Sequence, residues 1–99
     1  MLSSKERAGF RAQANGLEAI FQIGKDGVTP NLVEGIDQAL EKREIVKIAL
    51  LESADIGVRE ACNMVAERTH AEQIQCIGRK FVLYRKSKKT RVKEHQKRL

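Results

Sequence analysis

The chain has 99 residues, of which 41% are hydrophobic and 32% are charged, and its net charge at pH 7 is +6. This length supports one domain with its own hydrophobic core, without disulfides or metals. No apolar run approaches the ~18 residues that cross a membrane, and the N-terminus lacks the apolar segment of a signal peptide. The two cysteines, Cys62 and Cys76, show no CxxC pairing, which is typical of a reduced protein. We therefore expect a cytoplasmic protein that does not bind membranes.

The N-terminal segment predicts a helix followed by a strand. Ser3 and Glu6 have the spacing of a capping box, so the first helix is expected over residues 4–14. An Asn-Gly pair then interrupts the helical pattern. The short apolar run that follows, residues 19–23, is interpreted as the first strand.

A second helix has the clearest start signal in the sequence. Thr29 is suited to cap it, Pro30 suits its first position, and basic residues end it near Arg43. Its apolar residues fall on one stripe: Leu32, Val33, Ile36 and Leu40. Gly35 costs about 1 kcal/mol relative to alanine in a helix interior. Close packing against a neighbouring element is one reason for a glycine at that position.

A second strand and a third helix follow. Residues 44–51, EIVKIALL, are β-branched and apolar and predict the strand. Asp55 is the expected cap of the helix, which ends near His70. The apolar residues of this helix recur at i, i+3, i+4 and i+7: Val58, Ala61, Cys62 and Val65.

Two strands joined by a tight turn complete the predicted fold. They are EQIQCI, residues 72–77, and KFVLYR, residues 80–85, and Gly78 in the first loop position is typical of a type II′ turn. The element order is α-β-α-β-α-β-β. The two βαβ crossovers are expected to give parallel strand pairs, and the hairpin an antiparallel pair. We therefore predict an α/β, two-layer fold in which a four-stranded mixed sheet packs against three helices.

The positive charge is concentrated at the C-terminus. The last fifteen residues, RKSKKTRVKEHQKRL, hold eight Lys or Arg and one Glu, whereas the preceding 84 hold eleven basic and twelve acidic residues. This division predicts a nearly neutral domain over residues 1–85 and a basic, flexible tail over residues 86–99. Lys88, Lys89 and Arg91 are candidate phosphate contacts, because a polycation binds nucleic acid through counterion release. A solubilising terminus is the alternative interpretation.

The loop before the second helix, Gly24-Lys25-Asp26-Gly27, is the main candidate binding site. Glycine lets a backbone approach a ligand closely, and the free N–H groups at a helix start favour an anion. The spacing is that of neither a P-loop nor a dinucleotide-binding fingerprint. It is that of the GXXG loop that clamps nucleic-acid backbone in KH domains. Because Asp26 offsets the charge of Lys25, backbone amides would hold most of a phosphate; a plain tight turn is the alternative.

Three segments together resemble one family. IGKDGVTPNLVEGIDQAL, EIVKIAL and QCIGRKFVLYR, in this order and at these separations, are similar to single-domain bacterial members of the CRM family, named for chloroplast RNA splicing and ribosome maturation. The resemblance covers roughly residues 2–85. It implies a compact RNA-binding module similar to the C-terminal domain of translation initiation factor three, associated with precursors of the large ribosomal subunit.

The resemblance also implies that the Gly24–Gly27 loop contacts RNA. One departure is His70, where relatives commonly end the third helix with glycine. Histidine tolerates a positive φ better than most residues, so only the local turn is affected.

Four further basic residues of the domain are candidate RNA contacts: Arg7, Arg11, Arg79 and Lys80. The first two lie four apart on one helix face, where they would extend a phosphate surface beside the loop or form a solvated face. The other two lie at the hairpin tip, where charges often serve solvation alone. The chain has only three Phe and one Tyr, which favours recognition of RNA backbone and shape over stacking on bases.

No catalytic or metal-binding constellation is apparent in the sequence. The spacings of the Cys and His residues match no zinc pattern, and no local motif supplies a nucleophile with its base. We interpret the chain as a non-enzymatic, monomeric RNA-binding protein that needs no cofactor or small-molecule substrate and assists large-subunit assembly by contacting ribosomal RNA. The alternatives are a protein-interaction module whose tail binds an acidic partner, and a small enzyme that uses the loop as a phosphate site.

Overall fold

The computed structural model describes residues 2–87 and follows the predicted element order. In chain order the elements are α1 (Ser4–Ala14), β1 (Phe21–Ile23), α2 (Pro30–Arg43), β2 (Ile45–Leu50), α3 (Val58–Thr69), β3 (Glu72–Ile77) and β4 (Lys80–Tyr84). The predicted α/β fold with three helices and a four-stranded mixed sheet is confirmed. The candidate contacts Lys88, Lys89 and Arg91 lie outside the described residues. Within the described range, no helix is both long enough and apolar enough to cross a membrane.

The strand order in the sheet is β1-β2-β4-β3. β1 and β2 are parallel, whereas β4 lies between β2 and β3 and is antiparallel to both. The prediction of a second parallel pair, β2 with β3, is therefore wrong. The reason is burial: Phe81, Val82 and Leu83 of β4 are fully buried, which requires cover on both faces and suits a central strand. The polar residues of β3 suit an edge.

The helices cover both faces of the sheet, so the predicted two-layer arrangement is also wrong. Successive residues of β2 point to opposite faces, and both faces carry apolar side chains. Val46 and Ile48 lie in the larger core with α2 and α3, whereas Ile45 lies in a smaller core beneath α1. On the α1 face, the rings of Phe10 and Tyr84 stack with their centroids 4.1 Å apart.

Two predicted helix caps are present. The hydroxyl of Ser3 accepts a hydrogen bond from the backbone N–H of Glu6, and the Glu6 carboxylate accepts one from the backbone N–H of Ser3. The donor groups of Ser3, its backbone N–H first and then its hydroxyl, stabilise the carboxylate and lower the pKa of Glu6. At the start of α2, Thr29 Oγ1 accepts from the N–H of Leu32 at 3.1 Å.

Other element ends differ from the sequence prediction or depend on left-handed residues. Asp55 does not cap α3, because a turn follows β2 and the helix begins only after Gly57, which makes no side-chain cap bond. β2 begins at Ile45 because Glu44 ends α2 in the left-handed region, with φ of 66°. His70 ends α3 with φ of 57°, as the tolerance of histidine for this region suggested. Gly78 has φ of 60° and Arg79 does not have a positive φ, which fits the predicted type II′ turn.

After β4 the chain remains packed against the C-terminal half of α2. The backbone N–H of Ser87 donates to Glu44 Oε2 at 2.7 Å, and its hydroxyl donates to Glu41 Oε2 at 2.7 Å. Ser87 is only 4% exposed. Packing contacts thus extend two residues beyond position 85.

Gly35 allows α2 to approach β1 closely. A Cβ at this position would lie 3.1 Å from Cε1 of Phe21. Gly35→Val is therefore expected to lower the free energy of unfolding by about 2 kcal/mol, because overpacking forces neighbouring atoms apart. Gly9→Val in α1 is the matched control, since a Cβ at Gly9 meets no atom within 4 Å. Urea denaturation of both variants measures the difference, and equal stabilities would show that the glycine is not needed for packing.

Candidate nucleic-acid interface

The Gly24–Gly27 loop forms a closed turn between β1 and α2. The backbone N–H of Gly27 donates to the carbonyl of Gly24 at 3.0 Å, which leaves Lys25 and Asp26 exposed at the corner. Gly27 has φ of 70° and free space around its Cα, so a glycine is favoured there by backbone conformation. At Gly24 a glycine is favoured because a side chain would be crowded: a Cβ would lie 3.3 Å from Ser53 Oγ.

The backbone of this loop offers unused hydrogen-bond donors. Within residues 2–87, the N–H groups of Lys25 and Asp26 donate no hydrogen bond. The loop leads into α2, whose first turn contains no acidic residue. The partial positive charge of the helix N-terminus is therefore not neutralised locally, and the turn is suited to accept an anion.

Three segments meet at the end of the sheet that carries this loop. They are Gly24–Gly27, Leu51–Gly57 after β2, and the hairpin tip Gly78–Arg79; we call this group the loop end. They meet because parallel strands β1 and β2 end side by side and β4 begins opposite the end of β2. In α/β sheets the carboxyl ends of parallel strands are a common position for ligands.

The charges of the loop end are mixed. Asp26, Glu52 and Asp55 are exposed on the same segments as Lys25. Simple positive charge therefore does not explain an affinity for phosphate at this end. That backbone amides would hold most of a phosphate, as expected from the offset between Asp26 and Lys25, stays a prediction.

Arg79 links two segments of the loop end through hydrogen bonds. Its guanidinium donates to the carbonyls of Leu50 at 3.2 Å and Leu51 at 2.7 Å, and its own carbonyl accepts from the N–H of Leu50. Its side chain joins the hairpin tip to the segment after β2. The neighbouring Lys80 is exposed and has no ion pair within the described residues.

Arg7 is not brought to the loop. Its guanidinium donates to the Glu72 carboxylate at 2.9 Å and to the carbonyl of Gln73 at 2.6 Å. These residues begin β3, at the end of the sheet where β2 also begins, whereas the Gly24–Gly27 loop lies at the opposite end, where β2 finishes. A shared phosphate surface of α1 and the loop is therefore not formed around Arg7. Arg11 is exposed on the same helix, on the face of the sheet opposite α2 and α3.

Arg68 lies beside the loop, although sequence reasoning did not select it. Its guanidinium approaches the carbonyl of Val28, directly after the loop, at 3.4 Å. It lies in the last turn of α3, forty positions away in sequence, so only the packing of α3 against α2 places it there. No local motif signals such a position.

Among the described residues we find neither an activated nucleophile nor a cluster of metal-binding side chains. Burial raises the pKa of the Cys62 thiol to about 12, so it remains protonated at neutral pH and is a poor nucleophile. Among residues 2–87, no three His, Cys, Asp or Glu side chains gather in a way that would hold a metal ion.

Known proteins resemble the chain over most of its length. The probable RNA-binding protein YqeI of Bacillus subtilis is 33% identical over 91 residues, covering 92% of this chain and 95% of that protein. An RNA-binding protein of Haemophilus influenzae is 29% identical over 92 residues, which is 92% of each chain. The solution structure of SAV1595 from Staphylococcus aureus superposes with a TM-score of 0.75 at 38% identity, covering 89% of this chain and 92% of that one.

The family match has nearly the same extent as the fold. Residues 2–85, from the segment before α1 to the residue after β4, match the CRS1/YhbY (CRM) domain. This range includes the Gly24–Gly27 loop, all three helices and the whole sheet. The chain therefore belongs to the CRS1/YhbY (CRM) domain family.

Proposed function

We propose that this chain binds RNA without catalysing a reaction, and that the Gly24–Gly27 loop is the primary contact with a phosphate group. The observation that carries this proposal is the exposed turn in which the N–H groups of Lys25 and Asp26 are unbonded at the start of α2. The names of the relatives support it, because proteins called RNA-binding match this chain over more than nine-tenths of both lengths.

The proposed contact depends on positioned donors. A phosphate oxygen accepts hydrogen bonds from the amides of the turn, and the α2 dipole and Lys25 add attraction. Arg68 lies close enough to the loop to add a second cation. The closed turn holds the amides in place before RNA arrives, so little conformational freedom is lost on binding.

The other basic residues have different roles in this proposal. Arg11, Lys80 and the tail residues Lys88, Lys89 and Arg91 attract the RNA backbone over longer distances and make the affinity dependent on salt. Arg7 and Arg79 have internal partners, and we assign them mainly to holding α1 and the hairpin in place.

We further propose that the RNA is ribosomal RNA in precursors of the large subunit, with assistance in subunit assembly as the function of the chain. Wild-type protein is expected to sediment with these precursors in a sucrose gradient of cell lysate at low salt. The variant Lys25→Glu with Gly27→Asp is expected to remain at the top of the gradient. A chain that ends after Ser87 tests the tail without removing the Ser87 contacts, and should dissociate from the precursors at lower salt than the full chain.

Two results would contradict the proposal. Wild-type protein that stays at the top of the gradient at low salt would rule out stable association with ribosomal particles. A loop variant that still migrates with the precursors would show that the contact lies elsewhere. Treating the lysate with ribonuclease separates RNA-mediated from protein-mediated association.

A further inference from the structure

The α1 side of the sheet is only partly covered by its helix. α1 packs over the half of this face where β2 begins, around Ile45 and Tyr84. None of the helices within residues 2–87 lies over the half nearer the hairpin. Cross-strand pairing places Ala49, Lys80 and Ile77 in one row there. The next row, Lys47, Val82 and Gln75, lies beside the end of α1, where Val82 is buried in the smaller core.

These rows and the end of α1 enclose a recess of about 210 Å³. Its lining residues are Asn15, Lys47, Gln75, Ile77, Lys80 and Val82. Among the residues that the structure describes, no carboxylate lines it. This volume is below the ~300–1,000 Å³ of pockets that enclose a drug-sized molecule, so it suits one small ring system.

The chemistry of the recess is divided into an apolar wall and polar groups. Ile77 is 65% exposed, more than Ile20 and Leu51, which are the other exposed large hydrophobic residues of the described part of the chain. Within the described part of the chain, the side-chain amides of Asn15 and Gln75 make no hydrogen bond, and Lys80 has no ion pair. An amide both donates and accepts, so this pair is able to bind the polar edge of a planar ring.

Lys47 is held at the rim of the recess. Its ammonium group donates to the carbonyls of Ala14 at 3.4 Å and Leu17 at 3.3 Å, at the end of α1. Together Lys47 and Lys80 provide two positive charges close to the apolar wall. An apolar surface, free amides and adjacent cations match the parts of a nucleotide: the base face, the base edge and the phosphate.

We propose that this recess binds one unpaired nucleotide of RNA, with the base against Ile77, its edge at Asn15 and Gln75, and its phosphate near Lys80 and Lys47. The inference rests on the proposed RNA-binding function and adds a second contact on the face opposite α2 and α3. The shortage of aromatic residues led us to expect recognition of RNA backbone and shape alone. In the recess, an aliphatic side chain and two amides would contact a base in place of an aromatic ring. RNA with an unpaired base is then preferred over fully paired RNA.

The test compares two RNA hairpins that differ by a single unpaired uridine bulged from the stem. Fluorescence anisotropy with the full chain measures both dissociation constants. Wild-type protein is expected to bind the bulged hairpin about tenfold more tightly, a difference typical of one base contact. The variant Asn15→Ala with Gln75→Ala, and separately Ile77→Ser, should lose this preference while binding the paired hairpin within about twofold of wild type. Gln38→Ala, an exposed amide on α2, is the control and should keep the preference.

The outcomes separate this inference from the function on which it rests. Equal binding of both hairpins by wild type, or a preference retained by both pocket variants, would overturn the recess as a base site and leave RNA binding intact. Failure of wild type to bind either hairpin would overturn RNA binding and the recess together. The loop variant Lys25→Glu with Gly27→Asp should weaken binding to both hairpins by the same factor, because it removes a phosphate contact that does not depend on the bulge. Thermal unfolding of each variant confirms that the fold is kept.

Discussion

Replacing Arg85 with methionine is expected to lower the free energy of unfolding by about 3 kcal/mol. The Arg85 side chain is only 14% exposed and donates to the Asp37 carboxylate, to the carbonyl of Asp37 at 2.9 Å and to the carbonyl of Thr69 at 2.7 Å. Thr69 is the last residue of α3, so the guanidinium also stabilises the negative end of that helix dipole. Methionine fills similar volume but leaves these acceptors without their donor.

Urea denaturation measures this effect. The expected loss of unfolding free energy is at the lower end of the range for breaking a buried ion pair. The reason is that the Asp37 side chain is 51% exposed and is hydrated once Arg85 is removed. Lys42→Met on the exposed surface of α2 is the control for the loss of one positive charge, with an expected change within about 0.5 kcal/mol. Arg85→Lys should fall between the two, since lysine keeps the charge but not the planar donor group. A result for Arg85→Met equal to the Lys42→Met control would contradict the structural role.

The loop variant Lys25→Glu with Gly27→Asp is expected to weaken binding to a paired RNA hairpin by at least about tenfold. The two changes place acidic groups beside the unbonded amides of the turn, where they repel phosphate. The slope of log K against log salt should also become shallower by about one unit, because one phosphate contact is lost. Anisotropy titrations over a series of salt concentrations measure both quantities.

A matched variant distinguishes the loop from net charge. Lys42→Glu with Gly9→Asp makes the same residue changes and the same change in net charge on exposed helix positions away from the loop end. It should reduce affinity much less than the loop variant does. Equal losses from the two variants would mean that overall charge, and not the Gly24–Gly27 turn, determines binding.

Local signals in the sequence were sufficient for the starts of α1 and α2 and for the turn that precedes α2. The capping box of Ser3 and Glu6 and the Thr29-Pro30 start involve residues within one helical turn, so their spacing alone specifies them. The same is true of the Gly24–Gly27 turn, which is closed by a hydrogen bond between residues only three positions apart. Asp55 was misassigned because a cap residue is effective only if the helix begins directly after it, and the turn after β2 delays that start.

Strand order and helix placement required the tertiary structure. A hairpin signal shows that β3 and β4 pair, but not which of them also pairs with β2. The run Phe81, Val82 and Leu83 is the clue in the sequence, since a strand apolar on both faces belongs in the centre of a sheet. β2 likewise carries apolar side chains on both faces, which allows α1 to pack on the face opposite α2 and α3.

By itself, the sequence determined the family, the order of elements and the loop that we propose binds RNA, because each depends on residues near one another in the chain. Only the tertiary structure decided the partners of the long basic side chains. Arg7 is paired with Glu72, Arg79 braces the loop end and Arg68 reaches the residue after the loop. Long side chains find acceptors across elements that are distant in sequence, and no local pattern specifies those contacts. The recess at Gln75 and Ile77 depends likewise on α1 ending before it covers the sheet.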